Sequence, residues 1–321
     1  MSRVLVSGAT GFVGHHLCDL LASLGNEVVG TTRSNTIDSG SLSYELKTIP
    51  DIGDDVDWNP ILDGVDYVVH LAARVHVMRD VEKDALSAFR RVNVAGTVNL
   101  LRYLGSSRVK RLIYLSTVKV HGDLTNDRPF SASDSPAPND PYAQSKLEAE
   151  QHVEQISAEA GLETVIIRPP LVYGPGVGGN FASLLKMIHK GIPLPFGLIN
   201  NSRSLVSVEN LCSLICECLT NSAAPGKTFL VSDYDDVSTP ELIRLVASSM
   251  YRPARLLPVP VSILKLAATM LGQSAAMSRL TGSLQVDIGE TMRTLNWKPP
   301  VSVPDGIRTT TAWYKLQQAD D

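Results

Sequence analysis

The sequence predicts an α/β fold, a doubly wound parallel sheet followed by a smaller C-terminal α/β lobe. Three observations predict it. Short, nearly all-apolar runs recur through the first 170 residues and alternate with longer stretches of helical period, as strands buried on both faces do. The first run, Arg3-Val-Leu-Val-Ser7, passes directly into a turn with three glycines and then a helical pattern through Leu24. After Pro169-Pro170 the alternation fades, and glycines and prolines gather at 174–179 and 191–197.

At 321 residues and 44% hydrophobic content, the chain can bury a large core and form two domains, or one plus a lobe. Its formal net charge of -4 offers no basic surface for nucleic acid. Met1-Ser2-Arg3 leads straight into a strand, so no signal peptide is expected. Val259 to Leu271 is apolar, too short to span a bilayer, and carries Lys265. It reads as an amphipathic helix packed on the body, with membrane contact as the alternative. Cys212, Cys216 and Cys218 fall inside the helical apolar pattern 211–219, as small hydrophobes and not as metal ligands. No metal is expected, and a reduced, cytoplasmic protein is the simplest reading.

In order along the chain, Gly8-Ala9-Thr10-Gly11-Phe12-Val13-Gly14 joins the first strand to the first helix. Strand, glycine turn and helix in that order are the context of a dinucleotide fingerprint, and so of a Rossmann fold. Gly8 makes the tight turn, Gly11 lets backbone approach a pyrophosphate, and Gly14 lets helix and strand pack closely. The helix N-terminus supplies amide donors. The second strand starts at Glu27 and ends in Thr31-Thr32-Arg33-Ser34, with an arginine and no acid. An arginine there suits a 2'-phosphate, so NADP(H) is favoured and NAD(H) is the alternative. Arg33 could equally be a solvated residue stacked on the adenine of either. Asp51, before Ile52-Gly53, follows a weak third strand and can accept from an adenine amine or simply shape a turn. Asp66 to Leu71 is the fourth strand, entering Ala72 and Ala73, whose small side chains leave room for a cofactor.

A helix is expected from about Asp84 through Asn93 to Leu104. Arg111 to Leu115 is the fifth strand and ends in Ser116-Thr117, hydroxyls at the carboxyl end of a central strand, where α/β proteins bind ligands. Residues 122–141 read as a surface loop, the next helix runs to about Ala160, and Thr164 to Arg168 is the sixth strand. Short strands around 205–208 and 228–231 are expected to return to the main sheet. That places the dinucleotide-binding domain at 1–170, completed by about 203–231, and a substrate lobe at 171–202 and 232–321. Helices are expected from Thr239 to Met250 and at the end of the chain to about Leu316.

The chemistry is expected at Tyr142-Ala143-Gln144-Ser145-Lys146. Four residues apart, the tyrosine and lysine lie on one face of a helix. A Lys146 ammonium would favour the phenolate and lower the Tyr142 pKa from about 10 toward neutrality. A phenol so tuned can give or take a proton while a nicotinamide carries hydride.

Taken together, Gly8/Gly11/Gly14, His70-Leu-Ala-Ala73, Ser116-Thr117, Tyr142/Lys146 and Arg168…Tyr173-Gly174-Pro175 resemble the extended short-chain dehydrogenase/reductase family in order and spacing, over essentially the whole chain. Within it the chain is similar to the UDP-glucose 4-epimerase group. More narrowly, His70 to Met78, Arg168 to Gly176, Arg203 to Val206 and Ser283 to Asp287 resemble the UDP-N-acetylquinovosamine dehydrogenases, 4-keto-sugar reductases of O-antigen (lipopolysaccharide) synthesis.

The resemblance implies roles. Tyr142 is the proton donor or acceptor, Lys146 holds the nicotinamide ribose and tunes Tyr142, and Thr117, with Ser116 before it, supplies the third catalytic hydroxyl. Phe12, Val13, Thr32, Arg33, Asp51 and Ile52 join the glycines at the cofactor, as do Leu71, Ala72, Ala73 and Pro169. Asn93, Asn180, Arg203 and Arg279 join Thr117 on the substrate side, the arginines on a sugar diphosphate, which suits a planar guanidinium. A homodimer through the helices 84–104 and 142–160 is implied as well. His121 and Leu171 depart from the epimerase pattern, which has tyrosine and asparagine there; His121 reads as a local hydrogen-bonding residue.

Two activities fit these residues. One is NAD(P)H-dependent reduction at C4 of a UDP-4-keto-6-deoxy-N-acetylhexosamine; the alternative is a UDP-glucose or UDP-N-acetylglucosamine 4-epimerase. The strand-end Arg33 leans to an exchangeable NADP(H), hence to reduction. A non-catalytic dinucleotide sensor is a remote third reading, since such modules lose the tyrosine or the lysine.

Overall fold

In the computed structural model, residues 1–34, 42–53, 55–75 and 84–319 are described. The strands in chain order are β1 (Arg3–Ser7), β2 (Glu27–Thr32), β3 (Glu45–Thr48), β4 (Tyr67–His70), β5 (Arg111–Leu115), β6 (Glu163–Arg168), β7 (Leu171–Tyr173), β8 (Leu205–Ser207) and β9 (Lys227–Leu230). Seven of them form one parallel sheet of order β3-β2-β1-β4-β5-β6-β9. The chain builds outward from β1 to β3, then crosses back to lay β4 on the other side of β1. The carboxyl ends of β1 and β4 therefore flank the switch point, where a ligand cleft opens.

The helices are α1 (Phe12–Ser23), α2 (Asn59–Leu62), α3 (Ala85–Phe89), α4 (Gly96–Leu104), α5 (Pro141–Ala160), α6 (Gly179–His189), α7 (Val208–Thr220), α8 (Thr239–Ser249), α9 (Val261–Met270), α10 (Ser274–Thr281), α11 (Gly289–Leu295) and α12 (Val303–Ala319). Alternation along β1 decides which face each side chain serves. Val4 and Val6 pack with Leu17 and Leu21 of α1 and with Leu211, Leu214 and Ile215 of α7. Leu5 packs on the other face with Leu100 and Leu104 of α4 and Ala149 and Val153 of α5. Each such fully buried leucine or isoleucine contributes about 1.5–3 kcal/mol. A third cluster, around Tyr173, Phe181, Leu185, Ile243, Val303 and Ile307, is the core of the second lobe. Cys18, Cys212 and Cys218 are buried in the α1/α7 layer, where burial pushes their thiols up.

The structure departs from the sequence reading in four places. Leu205–Ser207 does not return to the main sheet; it pairs in parallel with Leu171–Tyr173 as a separate ribbon. Pro169 and Pro170 lack the N–H groups a ladder needs, so the chain leaves β6 there and starts a new pair. Only β9 completes the sheet. The segment from Ala85 to Leu104 is not uniformly α-helical: a wider π turn, Arg90–Ala95, separates α3 from α4 and contains Asn93. Helices α6, α10 and α11 occupy stretches to which the sequence pattern assigns no element. Finally, the loop 122–141 is tied to the second lobe. Thr125 N donates to Ser283 O, Phe130 N to Gln285 O, and Asp287 N to Phe130 O.

Among the described residues, no helix is long and apolar enough to cross a membrane. Residues 76–78 of the His70 to Met78 resemblance lie outside the described residues.

Candidate active site

At the switch point the β1–α1 turn is closed to side chains. Gly8 has φ 76°, and a Cβ there would lie 2.9 Å from Ala72 N. A Cβ on Gly14 would lie 2.2 Å from Gly8 O, and one on Gly11 3.2 Å from the same oxygen. No side chain caps the N-terminus of α1. A turn whose glycines leave no room for a Cβ, under an uncapped helix N-terminus, is a fit for the diphosphate of a dinucleotide. Phe12 and Val13, both half-buried, begin the helix. The Phe12 ring lies 3.7 Å from where a Cβ on Gly174 or Gly176 would stand, so the second lobe closes on this turn. Beside it Leu71 N donates to Ser7 O and Ala72 N to Ser7 Oγ. Pro169 O accepts from Val118 N at 2.9 Å.

At the far end of the cleft Arg33 meets a carboxylate. Thr32 is buried and its hydroxyl accepts from Ser34 N. Arg33 Nη1 lies 3.5 Å from Asp51 Oδ2, and Arg91 lies 4.0 Å from the same oxygen. Asp51 Oδ1 accepts from Gly53 N, and Ile52 is buried beneath Gly96. The guanidinium read from the sequence as a phosphate binder thus faces a carboxylate 18 residues further on. A 2'-phosphate would have to displace that pairing and sit beside Asp51, so the residues do not favour NADP(H).

The hydroxyl cluster is built where α5 meets the carboxyl end of β5. Asp140 caps α5 by accepting from Ala143 N at 2.7 Å, and Pro141 opens the helix. Lys119 pairs with Asp140 and, at 3.4 Å, with Asp123. Tyr142 stands in the first turn, its ring edge-on to Phe89 at 5.9 Å. The Thr117 hydroxyl lies by the phenol and acts to lower its pKa. One turn on, Lys146 is buried, donates to Leu115 O at 2.7 Å, and lies 4.1 Å over the Tyr114 ring. Ser116 Oγ is buried and has no hydrogen-bond partner among the described residues.

The expected tuning of Tyr142 is not what the structure holds. Burial first, and the Asp140 carboxylate second, push the Tyr142 phenol up to about 12, against the Thr117 hydroxyl. Burial pulls Lys146 down to about 7, with the Glu150 carboxylate opposing. A lysine that is half neutral near pH 7 has little charge to lend, and Tyr142 stays protonated. Helical spacing shows that the two side chains share a face; it does not show that both are enclosed.

Residues behind the cluster hold it in place. His70, Ser7, Thr97 and Asn93 form a buried chain: Ser7 Oγ and His70 Nδ1 at 2.6 Å, His70 Nε2 and Thr97 Oγ1 at 3.0 Å, and Thr97 Oγ1 donating to Asn93 O. Burial, then the Lys146 charge, lowers the His70 pKa to about 3, so the ring is neutral. The arrangement that satisfies every contact has Ser7 donating to Nδ1 and Nε2–H donating to Thr97. Asn93, expected on the substrate side, accepts from Arg74 N and donates to Arg74 O and to Ser145 Oγ. Both amide hydrogens are used, so it braces the end of β4 against α5. Arg168 donates twice to Glu150, at 3.0 and 2.6 Å, and once to His121 Nε2 at 2.9 Å. Burial and the Arg168 charge lower His121 to about 4, a neutral acceptor stacked on Phe130. The signal for Glu150 was in the sequence, four residues beyond Lys146 on the same helical face.

On the lobe side, Arg203 and Arg279 come together. Arg203 Nη1 donates to Arg279 O at 2.6 Å and to Gly282 O at 3.1 Å. Burial first, then the Arg279 charge, lowers the Arg203 pKa, while Asp123 opposes. Two guanidiniums held close enough to repel each other suit an anion with more than one charge. The stretches around Arg203 and Leu284 lie side by side, with Ser204 N donating to Leu284 O and Leu284 N to Ser202 O. Asn180 is exposed in the first turn of α6.

Comparison with known proteins agrees with this geometry. The profile described as the NAD dependent epimerase/dehydratase family matches residues 4–232. A Vibrio cholerae protein described as UDP-glucose 4-epimerase is 44% identical over 310 residues, 96% of this chain and 94% of that one. An Escherichia coli O157:H7 protein described as N-acetyl-alpha-D-glucosaminyl-diphospho-ditrans,octacis-undecaprenol 4-epimerase is 32% identical over 82% of this chain and 77% of that one. Among solved structures, UDP-glucuronic acid 4-epimerase from Bacillus cereus in complex with NAD has a TM-score of 0.79 at 22% identity, covering 98% of this chain and 99% of that one. UDP-glucose 4-epimerase from Thermotoga maritima with UDP-glucose has a TM-score of 0.79 at 21% identity, covering 98% of this chain and 99% of that one. At those identities the solved structures speak to the fold. The chain belongs to the NAD dependent epimerase/dehydratase family and is an enzyme of that family.

Proposed function

We propose that this enzyme is a UDP-sugar 4-epimerase that keeps NAD through its cycle. The observation that carries the reading is one connected site. Tyr142, Thr117 and Lys146 gather at the end of β5, and Lys119 and Asp123 link them to the Arg203/Arg279 pair. The V. cholerae relative described as UDP-glucose 4-epimerase supports the activity, and the NAD complex of the B. cereus enzyme supports the cofactor.

The glycine turn would hold the dinucleotide, with Lys146 at its ribose and Ala72 and Ala73 leaving it space. NAD, when bound, supplies the hydride acceptor and donor and, in its oxidised form, a positive charge. Arg203 and Arg279 would hold the sugar diphosphate, and Asn180 would lie at its edge. Thr117 would align the C4 oxygen. Tyr142 would take the hydroxyl proton as C4 is oxidised to a ketone, and return it after the sugar has presented its other face. A phenol with a pKa near 12 is poised to donate, so proton removal needs added positive charge at the site.

Reduction of a UDP-4-keto-6-deoxy-N-acetylhexosamine would use the same groups. Its support was the Arg33 preference for NADP(H), and that guanidinium faces Asp51. The test is to denature the purified protein and identify what it releases. NAD at near-stoichiometric amounts supports the epimerase reading; NADP, or protein that becomes active only with added NADPH, opposes it.

A further inference from the structure

One apolar helix, α9, contributes no residue to the site. Residues 242–286 contain no Asp or Glu but include Arg244, Arg252, Arg255, Lys265 and Arg279, in a chain of net charge -4. Within this stretch α9 and α10 form a hairpin, closed by Gln273 N donating to Ala268 O. The hairpin is barely embedded: α9 buries only Leu264 and Ala268, and α10 buries no residue. Its other face is apolar and open. Ile263 is 55% exposed, Leu266 58%, Met270 77% and Leu271 74%. Ile263, Leu266 and Met270 are spaced three and four apart, one outward stripe of a helix. The helix thus has two apolar stripes, one turned to the body and one turned away.

The charge says what would cover the outer stripe. A second copy would bring one basic patch against another. An anionic bilayer matches both parts of the surface: apolar side chains enter the headgroup–acyl boundary while Lys265 and the exposed Arg252 and Arg255 meet lipid phosphates. We propose that the α9–α10 hairpin is an interfacial docking element that seats this enzyme on anionic lipid bilayers. Arg279 is in the last turn of α10, so docking would hold the arginine pair beside the membrane surface. The proposal does not depend on the epimerase reading.

The test is flotation of the purified protein with vesicles of phosphatidylcholine alone or with about one-third phosphatidylglycerol. The protein should float with the anionic vesicles, at least about tenfold more than with the neutral ones, and less as salt is raised. The double variant Ile263→Glu/Leu266→Glu should lose most of that binding while turnover of a soluble UDP-sugar and the melting temperature stay unchanged. If that variant unfolds, Arg255→Glu/Lys265→Glu reverses two exposed charges and should abolish flotation on a folded protein. Absence of wild-type flotation overturns the proposal, as does a folded variant that binds like wild type. A lipid-free dimer that dissociates in the apolar double variant, with no flotation of wild type, would assign the face to a second copy instead.

Discussion

Lys146 Nζ donates to Leu115 O at 2.7 Å, and this bond fixes α5 over the carboxyl end of β5. It puts Tyr142 next to Thr117, and it encloses a lysine whose charge then costs stability. Its ordinary pKa is 10.5 and burial lowers it to about 7. Below pH 7 it is charged in both states and the folded protein carries the full cost, on the order of 5 kcal/mol. Between about 7 and 10.5 only the unfolded chain binds this proton, so stability should rise with pH through that window. Urea denaturation at pH 6.5 and 9 should show the rise, and Lys146→Met should lack it. The buried cysteines titrate alike in both proteins and cancel in the comparison. Equal slopes would show that Lys146 is not desolvated.

Tyr142→Phe should lower kcat by about 10²–10⁴-fold with the melting temperature unchanged, because the ring still packs on Phe89. Thr117→Val should give a smaller loss and raise the pH at which kcat reaches its plateau, since its hydroxyl is what lowers the phenol pKa. Pre-steady-state turnover of each variant at pH 7 to 10 is the check. Full activity in Tyr142→Phe would remove the phenol from the chemistry.

Arg203→Ala and Arg279→Ala should act on binding. Loss of charged hydrogen bonds to a diphosphate corresponds to roughly 10- to 100-fold in the KM for a UDP-sugar. Inhibition by free UDP should weaken in parallel, and kcat should move less. Inhibition constants for UDP distinguish this from a structural defect, since a loosened lobe would change kcat and thermal stability as well.

Asp51→Asn should shift cofactor choice. With the carboxylate gone, the Arg33 guanidinium is released to meet a 2'-phosphate, and the preference for NAD over NADP should narrow by about tenfold. Dissociation constants of both dinucleotides for apo-protein would report it. An unchanged ratio would mean that Arg33 plays no part in cofactor choice.

How much of this was legible depended on range. The glycine turn could be read residue by residue, because strand, turn and helix are contiguous and the contact of Gly14 with Gly8 is local. Tyr142 and Lys146 were found for the same reason, through one helical turn. Their protonation was misread, because enclosure comes from β5, Phe89 and Tyr114, which lie far off in sequence. The pairing of Arg33 with Asp51 was not legible, because the two meet only when β2 and β3 pair. Leu205–Ser207 is three residues long, and its partner Leu171–Tyr173 begins only after Pro169 and Pro170 have ended β6. Asn93 matched a motif, but only the fold shows its amide committed to Arg74 and Ser145. The arginine pair came through resemblance alone; nothing in the spacing of residues 203 and 279 says that they meet.

Proton NMR of a panel of UDP-hexoses incubated with purified protein and no added cofactor separates epimerisation from reduction. At least one sugar should equilibrate with its C4 epimer, with catalytic turnover and no net change in reduced nicotinamide. Failure of every sugar to epimerise, together with stoichiometric consumption of NADPH when a UDP-4-keto-6-deoxy-N-acetylhexosamine is supplied, would contradict the epimerase reading and make the enzyme a reductase.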